Sequence, residues 1–184
     1  MAWGIPTGCD DQPLIIDMAT SAVSEGKVRV KRNQGEKIPE GWVIDSEGKP
    51  TTDPNDFYGP PEGALLPMGG YKGYGLALVV DILAGGLSSG GCGRHGVKEF
   101  AQCTTVIAID PSVTRPLDEF VGAVDGLIDY VKSATPIKEG VPVMVPNEPE
   151  CLMRQRRRKE GIELDAATWK SIVETAKKVG LDIE

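Results

Sequence analysis

The stretch GGYKGYGLALVVDILAGGLSSGG, Gly69 to Gly91, sets one lysine among glycines immediately ahead of an unbroken apolar run. Glycines admit positive φ angles and let a ligand approach the main chain, so a lysine flanked by them can serve an anion packed close to the backbone. A helix start with a solvated lysine is the other reading of the same residues. The run Leu76–Val80 is interrupted by Asp81 and ends at Gly85, far short of the roughly 20 residues that span a bilayer. It predicts a helix over 73–84, apolar on nearly every side and therefore surrounded by the rest of the protein. Asp81 on such a helix needs a hydrogen-bonding partner.

The flanking sequence alternates strand and helix signals. PLIID, Pro13–Asp17, is a short apolar run ending in an acid, and KVRVKR, Lys27–Arg32, alternates valine with cations as a half-exposed strand does. MATSAVSEG between them reads as a helical turn or two closed by Gly26. Residues 33–61, rich in Gly, Pro, Asp and Asn, predict a long loop with a short strand at WVID. TTVIAID, Thr104–Asp110, has the β-branched density of a central strand. Phe120, Val121, Val124, Leu127, Ile128 and Val131 recur at helical spacing. Asn147 with Glu150 three positions on approximates a capping box for a helix reaching about Glu160. A last helix places Trp169, Ile172, Val173, Ala176 and Val179 on one face, with Asp165 ahead of it and Gly180 behind. Together these predict an α/β or α+β chain.

Composition narrows the function classes. With 184 residues, 40% of them hydrophobic and 26% charged, the chain is expected to be globular. Twenty basic against 27 acidic residues give a net charge of −7, and the only basic run is RQRRRK, Arg154–Lys159. Non-specific nucleic-acid binding is not expected, and the run reads as a solvated face near a helix end. MAWGIPTGCDDQ has neither a basic start nor a long apolar core, so no signal peptide is expected. Cys9, Cys92, Cys103 and Cys151 form no CxxC pair, which points to reduced thiols in a cytoplasmic protein rather than a disulfide framework or a zinc site. GCGRHG, Gly91–Gly96, matches G-x-G-x-x-G by letter. A Rossmann fingerprint must follow a strand and open a helix, whereas this one follows a helix and precedes unpatterned sequence, so it reads as a surface loop, with His95 solvated inside it.

In chain order, PLIIDMATSAVSEGKV, IPEGWVIDSEGKPTTDP, the opening stretch with its lead-in GALLPM, IAIDP and VPNEPECLMRQRRRKEGIEL resemble consecutive blocks of the malate/L-lactate dehydrogenase family. The resemblance runs from Gly4 to Ile183. It implies an NAD(P)-dependent oxidoreductase acting on small 2-hydroxy or 2-oxo acids or cyclic imino acids. It also implies a non-Rossmann fold, a mixed sheet flanked by helices, and assembly as a homodimer. On this reading, residues 1–184 are one partial domain, cofactor-binding over about 1–135 and helical over about 136–184.

The family's G-x-K-G-Y-G lysine contacts cofactor, which carries over to Lys72 with Gly73, while Gly70 and Gly75 clear space around it. The family's D-M-A turn carries over to Asp17, Met18 and Ala19, although Asp17 equally suits a helix cap. The P-G-E-x-E block is met by Pro146, Asn147 and Glu148, followed by Pro149 and Glu150. Here Asn147 replaces glycine; it tolerates a left-handed or capping conformation but adds a side chain where the ligand would lie. Plain helix capping is the other reading of that block.

The family's catalytic histidine and its substrate-binding serine, histidine and arginine lie upstream of the block that starts here at MAWGIPTG, and QCTT replaces the usual glycine and histidine ahead of the apolar strand. No residue of this chain is therefore given a catalytic or metal-binding role. The chain resembles the C-terminal half of such an enzyme, whether a truncated frame, an excised domain or a subunit of a split enzyme. Its expected partners are a nicotinamide dinucleotide (NAD or NADP), a small carboxylate substrate, and a second copy or a complementing first half. A non-catalytic dinucleotide-binding or oligomerising remnant is the alternative.

Overall fold

The structure, a computed structural model, describes residues 1–9, 12–94 and 102–183. They fall into two compact units, Met1–Met18 with Thr105–Ile162 and Ala19–Thr104 with Glu163–Glu184. Helices and small antiparallel sheets alternate along the chain, a mixed α/β architecture.

In the first unit, strands β1 (Ala2–Ile5) and β2 (Leu14–Asp17) pair antiparallel from Ala2 opposite Asp17 to Ile5 opposite Leu14. PLIID is thus a strand, as its pattern predicts. Helix α4 (Leu117–Lys132) carries the apolar stripe read from the sequence, and Asp110 ahead of it accepts the Ser112 N–H at 2.9 Å to cap a single 3₁₀ turn, Pro111–Val113. Helix α5 (Glu148–Glu160) follows. The central strand predicted over Thr104–Asp110 does not form: none of these residues lies in a strand, and Val106 and Ile109 are each 83% exposed. A strand exists only through its neighbours, and none of the described strands runs beside this segment.

The second unit holds most of the core. Helix α1 (Glu25–Asn33) occupies the residues expected to be a strand, and Gly26 lies in its first turn rather than closing an earlier helix. The valine alternation is outweighed by helix signals: Ser24 in extended N-cap geometry, Glu25 in the first turn, Lys31 and Arg32 in the last. Val28 then points inward, fully buried, while Val30 two residues on is 43% exposed. Val28 packs with Val23, Ile38 and Val43, and Trp42, Phe57, Tyr58 and Leu65 close around them. The Tyr58 hydroxyl donates to Glu25 Oε1 at 2.7 Å, and the Arg32 guanidinium sits 4.5 Å from the Tyr58 ring centre. Burial, then the Glu25 bond, push the phenol up to about 12.

The stretch expected to be one long loop is more ordered than its composition suggested. β3 (Val43–Ile44), the strand read at WVID, pairs antiparallel with β4 (Pro50–Thr51) on one side and β5 (Ala64–Leu65) on the other, with the short helix α2 (Asn55–Tyr58) between. Helix α3 (Tyr71–Asp81) and a π turn (Ile82–Gly86) form where predicted. The covering expected for α3 does not: only Gly73 of α3 is buried, while Leu78 and Val79 are exposed. Asp81 Oδ2 accepts the Gly93 N–H at 2.9 Å, supplying the partner its position demanded. Helix α6 (Ala166–Lys178) is capped by Asp165, which accepts from Thr168 N–H at 2.9 Å and Thr168 Oγ1 at 2.7 Å, bonds that hold its carboxyl below the usual range. His95 and Gly96 lie outside the described residues; Gly91–Arg94 are irregular.

Positions 28 and 30 share one face of a strand but lie about 200° apart on a helix. Val28→Ala should therefore lower stability by about 2 kcal/mol and Val30→Ala by under about 0.5 kcal/mol, read from urea midpoints. Equal losses would restore the strand.

Candidate functional site

The sequence-predicted binding residues occupy both units, and within each unit the fold gathers them. In the first, Asp17 ends β2, exposed, and Met18 is locked to the chain start: its N–H donates to Met1 O at 3.0 Å and its carbonyl accepts the Met1 ammonium at 2.9 Å. No helix follows Asp17, so it caps nothing. Asn147 stands just ahead of α5 at φ 78°, the left-handed conformation its amide side chain tolerates. It does not cap α5 through its side chain, and the expected capping box is absent. Its Nδ2 donates instead to Pro13 O at 3.1 Å, tying the lead-in of β2 to the start of α5.

That tie places Asp17 and the Pro146–Asn147 pair around one open cavity of about 350 Å³, which Ile15 and Glu150 also line. A second cavity of about 410 Å³ shares the Met144–Asn147 segment as part of its lining. Glu148 faces this larger space. Its Oε1 pairs with the Lys132 ammonium and its Oε2 accepts the Val145 N–H at 2.9 Å. Lys132 first, then the Val145 bond, hold the carboxyl below the usual carboxylate range.

Sequence reading missed two residues here, Asp125 and Lys132. With Ile128 they stand at i, i+3 and i+7 on α4, so one helix face presents an acid, an apolar group and a base to the cavity. The signal was a pair of charges flanking an apolar stripe, which a search for apolar periodicity discards. Asp125 takes the Gly8 N–H on both oxygens, at 3.0 and 3.1 Å, and a side chain at position 8 would collide with that carboxylate.

In the second unit, Ala19 leads into a segment running antiparallel to the approach to α3. Ser21 bridges Pro67, Thr20 O accepts Met68 N–H at 2.9 Å, and Met68 O accepts Gly73 N–H at 2.9 Å. Gly73 is glycine for this reason: a Cβ there would strike Met68 and Thr20 main-chain atoms. Gly69 and Gly70 carry φ 58° and 62°, which no lysine-sized residue adopts cheaply, whereas Gly75 borders open space. Lys72 is exposed on the first turn of the 11-residue α3, where the helix dipole favours an anion, while the main-chain N–H groups of Lys72, Gly73 and Tyr74 donate to Gly69, Met68 and Gly70. RQRRRK lies on α5, exposed.

Among the described residues, no group of three or more His, Cys, Asp or Glu gathers as a metal site, and no helix is long and apolar enough to cross a membrane. All four cysteines are free.

Residues 1–173 match the family model described as malate/L-lactate dehydrogenase. The chain is 37% identical over 174 residues to malate/(S)-sulfolactate dehydrogenase of Methanothermus fervidus, covering 91% of this chain and 49% of that protein. It is 36% identical over 180 residues to hydroxycarboxylate dehydrogenase B of Escherichia coli O157:H7, covering 95% and 49%. The solved sulfolactate dehydrogenase of Methanocaldococcus jannaschii superposes with a TM-score of 0.71 at 35% identity, over 98% of this chain and 52% of that one. The chain thus spans about half the length of the curated relatives it matches.

The Glu148 interactions make stability depend on pH. A depressed folded pKa stabilises above the ordinary carboxylate value of about 4.3 and loses that contribution as pH falls through the folded value. Glu148→Gln should therefore lower the urea midpoint at pH 7, with the gap to the parent closing below about pH 4. A gap independent of pH would show that the Lys132 pairing is not its source.

Proposed function

The chain belongs to the malate/L-lactate dehydrogenase family, and from that premise we propose that it serves an NAD(P)-dependent oxidoreductase transferring hydride between nicotinamide and a small 2-hydroxy or 2-oxo acid or a cyclic imino acid. The observation that carries this reading is the cavity shared by Asp17, Pro146 and Asn147. Two blocks far apart in sequence, each assigned to cofactor from resemblance alone, border one space.

The residues fit a dinucleotide. Lys72 is a compact point charge for a phosphate oxygen, on a helix start whose glycines leave the backbone accessible. Gly73 acts through packing, since its missing side chain lets the first turn of α3 sit against Thr20 and Met68. Asp17 offers a carboxylate for hydroxyl donors of the cofactor, with Ala19 following it, while the Met18 main chain is already bonded to Met1. Pro146 and Asn147 line the same cavity as Asp17, with Asn147 held in its left-handed conformation by the Pro13 bond, and Glu148 borders the neighbouring cavity. When bound, the nicotinamide supplies the hydride; the residues named here bind and orient it.

Proton transfer to a carbonyl or imine needs a donor within hydrogen-bond reach, and we assign that donor, with the groups that hold the substrate carboxylate, to protein beyond these residues. The bare apolar faces of α3 and of residues 104–110 support the same view, because apolar surface left in water calls for cover by a second copy or by a complementing first half. A dinucleotide-binding remnant without catalysis is the second reading, favoured by the match to only half of each relative. A soluble, cytoplasmic setting is part of the proposal.

Lys72→Ala should weaken NADH binding about tenfold or more in a fluorescence titration, the scale of a lost charged hydrogen bond, while far-UV circular dichroism stays unchanged. Lys49→Ala, also removing an exposed lysine, should leave affinity intact. Equal affinity in both variants would remove Lys72 from the site.

A further inference from the structure

The larger cavity of the first unit has a charge pattern that the family blocks leave unexplained. Its floor and walls are largely apolar, with Leu14, Ile128, Val143, Met144 and Leu152 among them. Among the described residues, three charged side chains line it: Asp125, Lys132 and Glu148. Lys132 is already paired with Glu148, so the lining carries a net negative charge centred on Asp125. At about 410 Å³ the space is within the range of small-molecule sites.

Those facts sort the parts of a dinucleotide. A pyrophosphate, a 2′-phosphate or a substrate carboxylate would bring negative charge beside an uncompensated carboxylate in a partly apolar space, where such repulsion is screened less than in water. A nucleoside is neutral, flat and apolar on its ring faces, and its ribose hydroxyls and ring amine are donors. Carboxylate oxygens are pure acceptors with about four lone-pair sites. Asp125 spends part of that capacity on one N–H, from Gly8, and keeps the remainder. An acid beside the ribose diol is the general device by which sites accept NAD and refuse the extra phosphate of NADP.

We propose that this cavity seats the adenosine end of the cofactor and that Asp125, with Glu148 on the same lining, makes the chain select NAD(H) over NADP(H). The assignment rests on the dinucleotide reading above and gives it a direction: the nucleoside lies in the cavity that α4 lines, leaving the cavity at Asp17 to the remainder of the molecule. Gly8 is a positioning residue here, because its N–H and its lack of a side chain hold Asp125 in place.

The test is titration of NADH and NADPH into the full chain and into Asp125→Asn, with folding followed by far-UV circular dichroism. Asparagine retains an acceptor for the Gly8 N–H, so the local structure has a partner in the variant; Glu148→Gln serves as a second variant. Adenosine 5′-monophosphate and adenosine 2′,5′-bisphosphate, titrated by calorimetry, probe the nucleoside end alone. The expected result is NADH and the 5′-monophosphate binding at least tenfold more tightly than their 2′-phosphorylated counterparts, with Asp125→Asn narrowing both ratios. Equal or reversed preference, or ratios unmoved by both variants, would overturn the assignment while leaving dinucleotide binding in place. Binding of neither dinucleotide by the folded chain would overturn the function proposed above, and this inference with it.

Discussion

The close approach of main chain at Gly73 is the contact around which the start of α3 in the second unit is built. Met68 accepts the Gly73 N–H and donates its own to Thr20, so three segments meet with no side chain between them. A Cβ would strike two of those segments at once. The first turn of α3, and Lys72 on it, therefore hold their position because position 73 carries only hydrogen. In the first unit the Asn147–Pro13 bond has the corresponding role, joining the start of α5 to the lead-in of β2 across 134 residues of sequence.

These anchor points contrast with the sparse burial elsewhere. Among the described residues, Val28 and Val43 are the largest side chains fully removed from water, and the cluster around them draws on the segment from Val23 to Leu65. Helix α3 shows apolar side chains to solvent around most of its circumference, and Val106, Ile107 and Ile109 stand clear of any ladder. Hydrophobic stabilisation scales with apolar area removed from water, so these segments contribute far less here than their composition allows.

The polar groups were partly legible and partly hidden. Lys72 announces itself by standing among glycines, and Asp81 by interrupting an apolar run; the structure gives Asp81 the Gly93 N–H that its position required. Asp125 and Lys132 carry no such mark. Their relation to Glu148 depends on a chain reversal between α4 and α5 that no local pattern encodes. Asn147 was read as a left-handed or capping residue; it is left-handed, but its amide serves Pro13 instead of its own helix.

By itself, the sequence determined these helices: α4 and α6 arise where apolar residues recur three and four apart, and α3 where an unbroken apolar run follows the glycines. It also determined the family, through ordered blocks spread along nearly the whole chain. Tertiary structure alone decided the short apolar segments. Lys27–Arg32 became helix because one valine of the alternating pair found the core and the other did not, and Thr104–Asp110 stayed out of any strand because a ladder needs a neighbour. Tertiary structure likewise brought Asp17 to Asn147 and Asp125 to Glu148. Contacts between residues more than a hundred positions apart, or across a chain reversal, leave no mark on local spacing; they exist only once the backbone has closed on itself.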